Sequence, residues 1–156
     1  MHMRLLAVGE RQPAWVDDAV RSYTGRYPRE WRFRVDAVPV ARRRRNEPAA
    51  RAVESEGQQL LERLSGDEQL VLLDGGGRQL TSPGLRDMLA AWQGGGQDLC
   101  FVIGGPDGIA DVVRKRAAFC WSLSRLTLPH GLARVLVAEQ LYRAWSLASG
   151  HPYHRE

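Results

Sequence analysis

Apolar residues along the chain fall into two alternating patterns: short runs that suit strands, and wider spacings that suit helices. Residues 3–8 (MRLLAV) make a short apolar run, the pattern of a buried strand. Trp15, Val16, Ala19, Val20, Tyr23 and Tyr27 then recur at helical spacing, and Pro13 suits a first turn, which predicts a helix over about 13–27. Over 31–38, Trp31, Phe33, Val35 and Ala37 alternate with Arg32, Arg34 and Asp36, as a half-buried strand requires. Residues 40–46 (VARRRRN) carry like charges and no apolar period, and read as a mobile loop. Pro48 opens a second helix to about Leu64, closed by Ser65-Gly66.

The second half repeats the alternation. Residues 69–74 (QLVLLD) read as a buried strand that stops at Gly75-Gly76-Gly77. Ser82 and Pro83 read as the N-cap and first-turn proline of a helix to about Gln93. Residues 99–103 (LCFVI) form another buried strand, ending at Gly104-Gly105-Pro106-Asp107-Gly108, and a helix follows to about Phe119. Residues 123–128 read as a short strand or extended loop, 129–131 as a turn, 132–147 as a long helix and 150–156 as a tail. That helix is apolar nearly all round (Leu132, Val135, Leu136, Ala138, Leu141, Tyr142, Trp145, Leu147), which suits a central core helix or a dimer contact. Strands alternating with helices predict an α/β fold with a mostly parallel sheet flanked by helices. Ligands in such folds bind beyond the carboxyl ends of strands, and two of those ends are glycine-rich here.

A length of 156 residues suits one domain over 1–156. No apolar run reaches the roughly 20 residues that span a bilayer, and the N-terminus lacks a secretory pattern, so the expected address is the cytoplasm. Cys100 and Cys120 read as plain buried thiols, with no disulfide framework and no metal site expected. Charge is uneven. Between Arg21 and Arg51 ten arginines face only Glu30, Asp36 and Glu47. An anionic partner, nucleic acid first, is one reading, and a solvated face is the other. Neither glycine-rich strand end fits G-x-G-x-x-G or G-x-x-x-x-G-K-[ST], and no G-x-S-x-G elbow occurs. Standard dinucleotide, phosphate-loop and serine-hydrolase chemistries therefore lack their signatures.

Several segments combine into a recognisable whole: M-x5-A-V-G-E (1–10), P-x-W-V (13–16), E-x-E-G (54–57), L-D-G-x-G (73–77), F-x-I-G-G-P-x-G (101–108), S-L-S-x-L-T-L-P-H (122–130), R-V-L-V-A-E-Q-L-Y-R-A-W-S (134–146) and H-P-Y-H-R-E (151–156). With a basic loop near residue 42, the chain resembles the ribosomal RNA large-subunit methyltransferase H family over its whole length. The four-arginine loop and the Gly75–Gly77 triplet depart slightly from that pattern.

The resemblance implies a SPOUT-class α/β fold whose C-terminal region forms a trefoil knot, although knots are nearly absent from proteins at large. It implies S-adenosyl-L-methionine as cofactor, held at Leu73, Gly104, Leu123, Ser124, Arg125, Leu126, Thr127 and Leu128 largely through main-chain groups. It implies a homodimer in which the partner's tail completes each active site. The substrate it implies is a pseudouridine of 23S rRNA in the assembled ribosome, methylated at N3, with neither DNA nor a membrane as partner. Target binding then falls to His130, Tyr153, His154 and Arg155. Arg155 is the choice for stabilising charge on the ring carbonyls. His154 is the candidate proton acceptor, with Glu139 or water as rivals. Arg134 and Arg143 are candidates to orient the tail or meet phosphate. Two other readings remain open at this point: a SPOUT methyltransferase acting on another RNA such as transfer RNA, and a ribosome-binding protein without catalysis.

Overall fold

A computed structural model describes residues 1–155; Glu156, the last residue of the expected tail, lies outside the described residues. The strands β1 (His2–Val8), β2 (Arg32–Val38), β3 (Gln69–Gln79), β4 (Leu99–Ile103) and β5 (Phe119–Ser122) pair in parallel, in the order β2-β1-β4-β3-β5. The connecting helices are α1 (Ala14–Thr24), α2 (Ala49–Glu62), α3 (Ser82–Gly94) and α4 (Asp111–Arg116). Helix α5 (His130–Ser149) follows β5, and a 3-10 turn over Pro152–Arg155 comes last. Parallel strands need crossovers, so each link passes over a face of the sheet and all the carboxyl ends share one edge.

Side chains alternate across the sheet, which divides the core in two. Met3, Leu5, Ala7, Phe33, Val71, Leu99 and Phe101 pack on one side against Leu85 and Leu89 of α3 and Val137, Ala138 and Leu141 of α5. Leu6, Val8, Val38, Leu70, Leu72, Cys100 and Val102 pack on the other against Leu60 of α2 and Val113 of α4. Covered on both faces, β1, β3 and β4 needed the continuous apolar runs that identified them.

The structure corrects several expected boundaries. Strand β3 does not stop at the glycines: Asp74–Gly77 bulge out of the ladder, and pairing resumes at Arg78, which shares Trp121 of β5 with Leu73. A Cβ on Gly77 would lie 2.7 Å from the Cys120 carbonyl, so only glycine lets the two backbones approach there. Thr81, not Ser82, caps α3: its hydroxyl accepts from the Gly84 N–H at 3.1 Å. The helix expected to reach Phe119 ends at Arg116, because the apolar run beyond it is taken by the sheet as β5. Short apolar runs do not distinguish strand from helix, and the open edge of β3 decides the outcome here. Residues 123–128 are loop rather than strand. On β2, Ala37 is exposed while Val38 is fully buried, because the end of this edge strand packs toward α2 instead of α5. Cys100 is buried as expected, but Cys120 is only partly so.

Candidate active site

The strand order sets β4, β3 and β5 side by side, so the segments leaving their carboxyl ends converge. They enclose a cleft of about 750 Å³, large enough for a nucleoside-sized ligand. Leu73, Gly104 and every residue from Leu123 to Leu128 line it, with His130 and Ala133 of α5 at one side and Asp74 and Arg114 at another. Leu73, Ile103, Ile109, Leu123 and Leu128 give it apolar walls. All eight positions expected to hold a cofactor therefore share one cavity, together with His130.

Local chemistry shapes each wall. In the loop after β4, Gly105 and Gly108 form a bridge, and Gly108 adopts a φ of +101°, which favours glycine. A Cβ on Gly104 would stand 2.8 Å from Ile109 Cδ1 and 3.0 Å from the Gly108 carbonyl oxygen. Glycine is required at 104 by the folding of this loop onto itself. In the loop after β5, the Ser122 hydroxyl donates to the Ser124 carbonyl at 3.0 Å, and the Ser124 hydroxyl accepts from the Leu126 N–H at 2.9 Å. These bonds hold an extended segment in shape without strand pairing, and leave the Leu126 side chain 77% exposed.

His130 opens α5 at the cleft. Burial, with help from the neighbouring Arg134 charge, pushes its pKa down to about 4, so its ring is neutral at neutral pH. Its Nε2 atom is buried without a hydrogen-bond partner among the described residues. Arg134 does not reach the tail or the surface. It is 4% exposed, and Nη2 donates to the Gly9 carbonyl at 2.5 Å, clamping the end of β1 to α5.

The tail lies elsewhere in the same chain. The Tyr153 hydroxyl donates to Glu139 Oε1 at 3.1 Å and lies 3.3 Å from the Tyr23 hydroxyl. The Arg143 and Arg26 guanidiniums face the Tyr153 ring at 5.0 and 5.8 Å. Burial raises the Tyr153 pKa well above the usual phenol range, which keeps it a donor. Glu139 also accepts from Arg143 at 2.8 Å and from Gln140 at 2.6 Å, so both its oxygens are engaged. His154 is half-buried with Nδ1 unpartnered among the described residues, and Arg155 is exposed. Glu139 is nine residues along α5 from His130, or about 13 Å at about 1.5 Å per residue. No described residue of the tail lines the cleft. The structure thus gathers His130 and the cofactor candidates, and separately gathers Tyr153 with Glu139 and Arg143.

The arginine-rich region is only partly free. Arg21 pairs with Asp18, Arg34 with Asp36, Arg51 with Glu47 and Arg43 with Asp107. Arg42, Arg44 and Arg45 are exposed and make no ion pair among the described residues. Sequence reasoning assigned no role to two features at this end of the sheet. Glu56 is 4% exposed; its Oε1 accepts from the Ala41 N–H at 3.1 Å, and its Oε2 would stand 2.6 Å from a Cβ on Gly105. It joins the base of the arginine loop to the cleft loop, and burial raises its pKa. Its position on the buried stripe Ala52–Glu56–Leu60 was the available signal. The other feature is the Arg114–Asp74 ion pair at the cleft. Residues 40 apart carry no local pattern that predicts such a pair.

Comparison with known proteins agrees with this architecture. The family model described as "Predicted SPOUT methyltransferase" matches residues 1–154. The "Ribosomal RNA large subunit methyltransferase H" of Thioalkalivibrio sulfidiphilus is 47% identical over 156 residues, all of both chains. That of Methylococcus capsulatus is 45% identical over 155 residues, 99% of this chain and 100% of the relative. That of Hahella chejuensis is 42% identical over 156 residues, again all of both chains. A match over nearly the full length, on a parallel sheet whose carboxyl edge carries one large cleft, has a plain meaning: the chain belongs to the SPOUT methyltransferase family.

Proposed function

We propose that this protein transfers a methyl group from S-adenosyl-L-methionine to N3 of a pseudouridine in 23S rRNA, acting on the assembled ribosome as a homodimer in the cytoplasm. One observation carries the reading: Leu73, Gly104 and Leu123 to Leu128 line a single cleft with His130. The cleft fits the cofactor in size, and its apolar walls suit an adenine. A single domain over 1–156, with its last segment passing through the cleft loops as a trefoil knot, belongs to the same reading.

When bound, the cofactor supplies an electrophilic methyl on a sulfonium. The chain's own groups do the rest. Main-chain groups of the loops after β4 and β5 hold the adenosine part, and Leu73, Leu123 and Leu128 exclude water around it. His130, with a neutral ring, borders the part of the cleft where the target base docks. Tyr153, His154 and Arg155 reach that base from the partner copy. His154 takes the N3 proton, Arg155 stabilises the negative charge left on the two ring carbonyls, and Tyr153 positions the tail as a donor. The distance between a chain's own tail and its own cleft supports a composite site of this kind. So do the exposed apolar side chains: Leu126 at the cleft is 77% exposed, Leu132 on α5 39% and Trp15 on α1 55%.

The test incubates the protein with labelled S-adenosyl-L-methionine and, separately, whole ribosomes, isolated large subunits and transfer RNA. Label is expected on one pseudouridine of 23S rRNA, located by mass spectrometry. Label on transfer RNA alone would redirect the reading to another SPOUT substrate. Ribosome binding without transfer would leave a non-catalytic binding protein.

A further inference from the structure

Among the described residues, Asp74 is the only carboxylate that lines the cleft; the cationic side chains there are Arg114 and Arg125. Asp74 follows the last apolar residue of β3 before the bulge, and Arg114 of α4 donates from Nη1 to its Oδ2. Both remain part-exposed, at 28% and 44% of their side-chain surface. A pair this accessible adds little to fold stability, since exposed ion pairs are typically worth about 1 kcal/mol or less. The backbone beside it is bare. A Cβ on Gly75 would meet nothing within 4 Å, and one on Gly76 would meet only Asp74 Oδ2, at 3.7 Å. Neither glycine has a positive φ. Unlike Gly77, then, these two are not demanded by packing or by backbone conformation, and their lack of side chains leaves the carboxylate open.

We propose that Asp74 and Arg114 form the subsite for a zwitterionic amino-acid group: Asp74 receives an ammonium and Arg114 a carboxylate. This rests on the reading that S-adenosyl-L-methionine occupies the cleft, and assigns its amino-acid end to the Asp74–Arg114 side. The ammonium of such a group needs a carboxylate, and Asp74 is the one carboxylate among the described residues that lines the cleft; the group's own carboxylate needs a cation, and Arg114 stands beside Asp74 to receive it. The resting ion pair keeps both groups partnered, and the zwitterion exchanges one salt bridge for two charge-assisted contacts.

Calorimetric titration of the full-length chain tests this with four ligands. S-Adenosyl-L-methionine and S-adenosyl-L-homocysteine carry the whole amino-acid group, decarboxylated S-adenosylmethionine lacks its carboxylate, and 5′-methylthioadenosine lacks the group entirely. Asp74→Asn is expected to weaken the first three by about tenfold while leaving methylthioadenosine within about twofold. Arg114→Met is expected to weaken only the two ligands with a carboxylate. Both substitutions are at part-exposed positions, and an unchanged melting temperature confirms that the fold survives. Equal losses for all four ligands would assign the pair to the nucleoside end and overturn the subsite alone, as would no loss for any. Failure of the unsubstituted chain to bind S-adenosyl-L-methionine would overturn the cofactor reading and the subsite with it.

Discussion

The two ends of α5 differ in kind. At its start, His130 borders an open cleft, with a buried Nε2 that has no partner among the described residues and a ring that burial keeps neutral. From its middle onward, Glu139, Arg143 and Tyr142 hold the tail through hydrogen bonds, ring contacts and an ion pair, with Tyr23 and Arg26 of the α1 region closing over Tyr153. The first end borders open space, while at the second Glu139 and Tyr153 are bonded to each other and His154 Nδ1 is left without a partner among the described residues. The first suits a receptor awaiting a ligand, and the second a pre-ordered arm. Pre-ordering lowers the entropy cost of presenting Tyr153, His154 and Arg155 to a target. Because both ends belong to one rigid helix, a chain cannot fold its arm onto its own cleft without breaking that network. A second copy supplies the arm at no such cost.

The largest predicted effects come from separating the two ends. Deleting 151–156 is expected to abolish methyl transfer, with S-adenosyl-L-methionine affinity changing less than about twofold by calorimetry. Mixing two inactive variants sharpens the comparison. Thr127→Trp fills the cleft, and Arg155→Ala disarms the tail. If each site joins one chain's cleft to the partner's tail, reassociated mixtures recover on the order of a quarter of native activity, because half the dimers are mixed and one site in each is intact. If cleft and tail of one chain worked together, every site would carry a defect and the mixture would stay inactive. A smaller effect is expected for Glu139→Ala, which releases Tyr153 and Arg143 together. It should lower kcat by roughly tenfold with cofactor affinity unchanged, since only the arm's position is lost.

The same contrast governs what the sequence could disclose. The strands β1, β3 and β4 were legible because burial on both faces leaves a continuous apolar run, and α5 was legible because apolar residues recur along its whole length. The cleft was legible through glycine-rich strand ends and a family resemblance. Sequence order alone could not place Asp74 beside Arg114, or Tyr153 beside Glu139 and Tyr23. Such pairs depend on crossovers that bring distant residues together. Strand β5 was missed because four residues, Phe119 to Ser122, are too few to show a period. Glu56 was legible in principle, as an acid on an apolar helical stripe, but its partner is a main-chain N–H with no sequence signature.

Away from α5, the arginine loop offers a smaller effect. Arg42, Arg44 and Arg45 are free of ion pairs among the described residues, while Arg43 is held by Asp107 at 3.4 Å and ties the loop to the cleft loop. Replacing the three free arginines with glutamine should weaken ribosome binding by about tenfold at physiological salt. It should also flatten the slope of log affinity against log salt by roughly 0.7–0.9 for each phosphate that is no longer neutralised. Unchanged affinity and slope would make the loop a merely solvated one. Replacing Arg43 alone should act differently, with a flatter slope accompanied by a change in cofactor affinity.

A last effect concerns stability, and it arises at the cleft end of α5. His130 has its pKa lowered from about 6.5 to about 4 in the folded chain, mainly by burial. Between those values the unfolded chain binds a proton at this ring and the folded chain does not, so stability rises with pH across the window. The contribution of a neutral His130 is fully present above pH about 6.5 and is lost as pH falls toward 4. Its ceiling is about 3 kcal/mol, reduced in practice because the ring is part-exposed at the cleft. His130→Gln keeps a neutral hydrogen-bonding side chain and should remove that part of the slope, which denaturant melts at pH 7, 5.5 and 4.5 would read. A ligand that caps the ring in its neutral form should steepen the acid dependence, because protonation would then cost the bound contact as well. If cofactor alone steepens it, His130 faces the donor; if only target RNA does, His130 faces the acceptor, as the composite site requires.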